Sequence, residues 1–161
     1  MTGTDPPAAA STTIEASSEH LAELRAFVRA RAAAAEVDPN ATSDLVQAID
    51  ELACNAIEHG YRGRRGTIEL TLEVGDGVMR ARLRDSAPPF DPRTAPEPRL
   101  DLPIDRRPLG GMGIHLARTL TDGMDHRILP GGGNEVVLTK RLGPTATPEG
   151  DDGHHDRASE P

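Results

Sequence analysis

Tryptophan is missing from this chain, and its 161 residues hold only one tyrosine and two phenylalanines. A core must therefore be packed from Leu, Ile, Val and Ala, within a length that suits one domain and hardly two. The single cysteine, Cys54, excludes an intramolecular disulfide and a zinc site built from thiolates. No apolar run is long enough to span a bilayer, and no basic-then-apolar leader opens the chain, so a soluble cytoplasmic protein is expected. Basic residues are also scarce: Lys and Arg total 18 against 26 Asp and Glu, for a net charge of −8. That balance argues against direct nucleic-acid binding and against a polybasic membrane patch. Half of the net charge lies in 143–161, where five acids stand against Arg157.

The two ends are built from small, polar and proline residues, so 1–11 and 143–161 are expected to be disordered around one domain at 12–142. "TTIEAS" reads as a short strand with Ile14 inward. Ser17 or Ser18 then caps a helix reaching about Glu36, with Leu21, Leu24 and Val28 near one face. Pro39 is expected to break the chain there, and a second helix to run from a Thr42 or Ser43 cap to Gly60. In "TIELTLEV", Ile68, Leu70 and Leu72 alternate with polar residues, and "VMRARLRD" alternates again after the turn "GDG". Period two on both sides of a tight turn predicts a β-hairpin. Residues 86–109 hold seven prolines and no periodicity, the mark of a functional or disordered loop. "GGMGIHLARTLTDG" turns from glycine-rich loop into helix, and "MDHRILP", "GGG" and "NEVVLTKRL" read as a closing hairpin. Helices placed before and between antiparallel strands predict an α+β protein, a two-layer sandwich.

Three pieces could carry chemistry. In "ELACNAIEHG" (51–60), a step of 100° per residue sets Leu45, Ile49, Leu52, Ala53 and Ala56 on the core side. Asp44, Gln47, Asn55 and Glu58 share the side of Glu51, with His59 at its edge. A solvated helix face accounts for that pattern. So does a site in which a carboxylate works as a base and an amide oxygen one turn away meets a hard cation. Gly110, Gly111 and Gly113 open a helix, where backbone N–H groups and the helix dipole favour phosphate; a hinge would have the same composition. No P-loop pattern occurs. Asp85 ends a strand, either as a turn residue or as an acceptor for the amino group of an adenine. "GGG" at 131–133 reads as a hairpin turn only, the arginines of "YRGRRG" as a solvated turn, and His20, His115 and His126 as too scattered for a metal site.

In this order, the pieces resemble the Bergerat ATP-binding fold shared by gyrase, MutL and the histidine kinases (the GHKL superfamily). Glu51 and Asn55 match its N box, Asp85 its first glycine box, and Gly111-Met112-Gly113 its second. More closely, "ELACNAIEHGY", "DSAPPFDP" and "RPLGGMGIHLARTL" resemble the single-domain anti-sigma-factor serine/threonine kinases, over about residues 12–142. The resemblance implies a mixed, mostly antiparallel sheet covered by helices on one face, and ATP and Mg²⁺ as ligands. Asn55 would coordinate the Mg²⁺, Asp85 would read the adenine with Ala87 beside it, and Gly110, Gly111, Met112 and Gly113 would hold phosphate. Glu51 would be the general base. Residues 92–108 would form a lid, with Arg106 or Arg107 on phosphate. The implied activity is a protein-serine kinase and anti-sigma factor that phosphorylates a small anti-anti-sigma (STAS-type) protein and binds a sigma factor. The alternative is an ATP-binding partner-switching regulator without kinase activity. A homodimer is left open, because the first helix shows no interface stripe. Two departures stand out: Ala87 occupies the place of the usual glycine of Asp-x-Gly, and Asn134-Glu135 stand where the family often has threonine.

Overall fold

The hairpin read from strict alternation anchors the sheet. In the computed structural model, which describes residues 9–107 and 112–144, strand β2 (Thr67–Gly75) pairs antiparallel with β3 (Val78–Asp85). Ile68, Leu70 and Leu72 of β2 and Met79, Ala81 and Leu83 of β3 all point to one buried face, as a side-chain period of two requires. Strand β1 (Ala10–Glu15) pairs with the outer side of β2. It begins two residues ahead of the boundary expected at residue 12. The closing hairpin, β4 (Gly123–Ile128) and β5 (Asn134–Arg141), lays β5 beside β3. The resulting order is β1-β2-β3-β5-β4, with every pairing antiparallel among the described residues. Residues 1–8 and 145–161, most of the two ends expected to be disordered, lie outside the described residues.

Three helices cover the buried face of the sheet: α1 (Leu21–Ala34), α2 (Pro39–Asn55) and α3 (Met112–Leu120). A single-turn 3₁₀ segment at Ser18–His20, with the Ser17 hydroxyl accepting from the Glu19 amide, leads into α1. The start of α2 departs from expectation. Its cap is Asp38, not Thr42 or Ser43, and the Asp38 carboxylate accepts from the amides of Asn40 and Ala41, each at 3.0 Å. The expected break between the two helices is there, from Ala34 to Pro39, and the proline itself is the first residue of α2, since a first-turn proline forfeits an N–H that would be unpaired anyway. Leu24, Val28, Leu45 and Ile49 from the helices meet Ile68, Leu70, Leu72, Met79 and Leu138 from the sheet, and these nine are the largest side chains shut off from solvent.

Two polar ties fix the helices relative to one another. Arg25 of α1 donates to Asp50 of α2 at 2.7 Å. Lys140, the one lysine of the chain, reaches in from β5 to the Asp44 carboxylate of α2 at 2.8 Å and the Leu120 carbonyl at the end of α3 at 2.9 Å. Lys140 thereby satisfies an end-of-helix carbonyl and sets the spacing of α2 and α3. No helix among the described residues is long and apolar enough to cross a membrane.

Candidate functional site

Past Asn55 the helix changes pitch. Residues Ala56–Tyr61 form a π-helical stretch, in which the Arg62 amide bonds back to the carbonyl of Ile57. Insertions of this kind concentrate at functional sites because they re-aim side chains without ending the helix. Arg62, in the left-handed region at φ 51°, ends it. Beneath this stretch, between α2 and the sheet, opens a cavity of about 550 Å³. Leu52, Ala53 and Ala56 line one wall, Ile68, Leu83 and Val136 the sheet side, and Asp85, Ala87 and Phe90 the end. A smaller cavity of about 120 Å³ adjoins it, lined by Glu51, Cys54, Glu58, Gly113 and Ile114. Asn55 and His59 border both spaces.

The sequence-picked residues therefore meet. Glu51 and Gly113, 62 positions apart in the chain, touch so closely that a β-carbon at 113 would collide with the Glu51 carboxylate. Among the described residues, the Asn55 amide has no hydrogen-bonding partner and stands half-buried where the two cavities join. Met112, at the start of α3, is exposed. Gly110 and Gly111 lie outside the described residues. Cys54 shares the small cavity, and burial pushes its thiol above the ordinary value, with Asp50 and Glu51 adding to the effect.

Asp85 is held by a network that pattern reading did not find. Its Oδ1 accepts from the Ala87 amide at 2.9 Å and from Nδ2 of Asn134 at 3.0 Å. Among the described residues no donor reaches its Oδ2. Burial raises the Asp85 pKa, and the bonds from Asn134 and Ala87 work against that rise. Asn134 is itself only 5% exposed, and its Oδ1 accepts from the Phe90 amide at 2.9 Å. Gly133, at φ 96°, lets the β4–β5 turn press onto the Asp85 carbonyl, where any β-carbon would clash. The triple glycine is thus more than a turn. The Ala87 methyl is buried and faces Gly60, leaving no room for a side chain there: a β-carbon at 60 would lie 2.7 Å from that methyl.

Tyr61 carries the corner. It is buried, donates to the Thr67 carbonyl and accepts from the Ser86 amide, both at 2.7 Å. This single hydroxyl pins the helix end to the start of β2 and the end of β3. Only its rarity in the composition could have drawn attention to it. The arginines of "YRGRRG" also do more than meet solvent. Arg62 and Arg64 line the larger cavity, and Arg64 donates to the carbonyls of Tyr61 and Gly60.

The loop between β3 and α3 contains two short 3₁₀ turns, Pro92–Thr94 and Ile104–Arg106. Glu97 fastens it to α3 through Arg118 at 3.2 Å and His115 at 3.1 Å. Arg107 braces the loop internally by donating to the carbonyls of Leu102 and Leu100, whereas Arg106 is exposed.

A helix-covered antiparallel sheet with a cavity of this size between its two layers can house a small ligand. Residues 14–140 match the Histidine kinase-like ATPase domain, and the chain belongs to that family. It is similar to the serine-protein kinase RsbW of Bacillus cereus, 26% identical over 103 residues that make up 62% of this chain and 63% of that one. It is also similar to the solved RsbU and RsbW domains of Rv1364c from Mycobacterium tuberculosis. There the TM-score is 0.60 at 26% identity, covering 85% of this chain and 33% of the other. The chain thus spans less than two thirds of the length of either relative.

Proposed function

We propose that this chain is an ATP-dependent protein-serine kinase of a partner-switching system. In this reading it transfers the γ-phosphoryl group of ATP to a serine of a small anti-anti-sigma, STAS-type protein, and its nucleotide-bound form holds a sigma factor. The observation that carries the reading is the contact of Glu51 with Gly113 in the smaller cavity, joined at Asn55 to the larger cavity that Asp85 lines with an Oδ2 that no donor among the described residues reaches.

The adenine enters between Ala56 and the Leu83–Val136 floor, and its amino group donates to Asp85 Oδ2. The apolar walls exclude water from the base. The triphosphate runs past Asn55 and His59 towards the start of α3, where Met112 and Gly113 offer backbone N–H groups. Asn55 suits a Mg²⁺ ion held mainly by phosphates, adding an oxygen ligand without a charge, and the ion would neutralise phosphate charge. Glu51 takes the proton from the acceptor serine as its Oγ forms a bond to the γ-phosphorus and the bond to the ADP oxygen breaks. Contact with the Gly113 backbone keeps the carboxylate beside the phosphates, so its work is chiefly positioning and proton acceptance.

Replacing Glu51 with Ala tests the reading. Mg-ATP should still bind and raise the melting temperature, while transfer of labelled phosphate to the cognate STAS-type partner falls 10²-fold or more. Transfer at the wild-type rate would overturn the assignment. A second reading, nucleotide-gated partner binding without transfer, draws on the Ala87 methyl at the base end of the cavity. Tight partner binding with no phosphoserine formed by the wild-type protein would favour it.

A further inference from the structure

On the β4 strand, His126 has a side chain only 6% exposed, and its Nε2 lies 3.0 Å from Oδ1 of Asn134. The orientation of the Asn134 amide is not open to choice. Its nitrogen faces acceptors only: Asp85 Oδ1 at 3.0 Å, the Pro88 carbonyl at 3.2 Å and the Ala87 carbonyl at 3.4 Å. Its oxygen faces the Phe90 amide, a backbone donor that cannot be reversed. His126 Nε2 must therefore carry a proton and donate it to Asn134. The other ring nitrogen, Nδ1, stands 3.8 Å from the Asp91 carboxylate, which caps the first turn of the loop.

We propose that His126 is a positioning residue for nucleotide selection: by donating from Nε2 it adds a second donor to the Asn134 oxygen and steadies the amide that occupies Asp85 Oδ1, leaving Oδ2 for a donor on the ligand. This inference rests on the ATP reading above and deepens it. A carboxylate oxygen fixed in this way rewards a purine with an amino group at position 6 and rejects one with a carbonyl there, because two acceptors would face each other in a buried place. If His126 lost its Nε2 donor, the Asn134 oxygen would keep only the Phe90 amide, and its hold on Asp85 would loosen. Selectivity would then suffer more than affinity for the rest of the nucleotide. His126 acts through Asn134, and the shape of the cavity is set by other residues.

The test compares dissociation constants for Mg-ATP and for the triphosphate of purine riboside, which lacks the 6-amino group. A hydrogen bond to a charged acceptor predicts that the wild-type protein prefers ATP by about tenfold or more. His126→Leu should reduce that preference to less than about threefold, with little change in binding of the 6-deamino analogue. His126→Gln, whose amide can donate from nearly the same point, should restore it. A folded H126L variant with the wild-type preference overturns the proposal. A wild-type protein that binds neither nucleotide overturns the ATP reading instead. Nitrogen-15 chemical shifts of the His126 ring in the wild-type protein give a check free of any substitution. A neutral ring protonated at Nδ1 and bare at Nε2 would overturn the proposal, and a protonated Nε2 supports it.

Discussion

Gly113 rests directly against the carboxylate of Glu51, with no space for a β-carbon between them. The contact joins the start of α3 to the C-terminal part of α2, so two motifs far apart in the chain form one surface. The atom that a new side chain would strike is the mobile end of Glu51, not backbone, so the collision can be relieved by moving the carboxylate. Gly113→Ala should therefore spare the fold. The gain from alanine in a helix, about 1 kcal/mol, offsets much of the crowding, and the melting temperature should stay within a few degrees of wild type. Phosphoryl transfer should fall at least tenfold because the base is displaced. Unchanged transfer would mean that Glu51 does not work from this position.

Tyr61 and its hydroxyl offer a test of the corner beneath the cavity. Tyr61→Phe removes the donor to Thr67 and the acceptor for Ser86 while keeping the ring. Two part-buried backbone groups lose their partner, at a cost of about 1 kcal/mol. Urea denaturation should show that loss as a lower midpoint with an unchanged slope. An unaltered midpoint would show that water replaces the hydroxyl without penalty.

Gly60 and Ala87 should behave as a coupled pair. Gly60→Ala sets two β-carbons about 2.7 Å apart and should destabilise the protein by about 1–3 kcal/mol through overpacking. Adding Ala87→Gly removes the opposing methyl and should recover most of the loss. A double variant no more stable than G60A would show that the strain lies elsewhere. The departure from Asp-x-Gly at residue 87 is in this sense answered by a glycine in direct contact at residue 60.

Acid should reveal Glu135, on the sheet face away from the helices. It is 5% exposed and accepts from Arg127 at 2.5 Å and Arg84 at 2.6 Å. Arg127 first, then Arg84, draws its pKa down to about 2. A depressed folded-state value means that the stabilisation is complete above the unfolded carboxyl range and disappears as pH falls from about 4.5 towards 2. Both arginines are well exposed, so solvent screening limits it to about 1–2 kcal/mol. Glu135→Gln should be less stable than wild type by that amount at pH 7, and the difference should close across this window. A constant difference down to pH 2 would rule out the ion pairs as its source.

Periodic segments were legible in the chain, and long-range ones were not. Ile68, Leu70 and Leu72 alternate in the sequence and are buried as the alternation requires. The core face of α2 was also readable, because Leu45, Ile49, Leu52 and Ala53 share one arc of the helix and all are buried. The cap at Asp38 was missed because a proline read in isolation signals a break, yet the same residue at the first helical position starts one. The structural roles of Asn134 and Tyr61 escaped notice for a different reason. Each gains its role from partners dozens of positions away, Asp85 for one and Ser86 for the other. Such partners follow from which strands become neighbours, and local composition carries no trace of that. Glu51, Asn55 and Asp85 were candidates by residue type and position, and only their order along the chain, resembling a known motif set, tied them into one proposed site.

Asp85 and Asn134 sit opposite each other on adjacent antiparallel strands, 49 residues apart in the chain. The polypeptide between them leaves the sheet and returns to the same corner, carrying the proline-rich loop, α3 and β4 on the way. A closed excursion of this kind can gain or lose residues at little entropic cost to the pair that closes it. The proline-rich part of that excursion can thus be lengthened or shortened, while the two residues at its root keep their places.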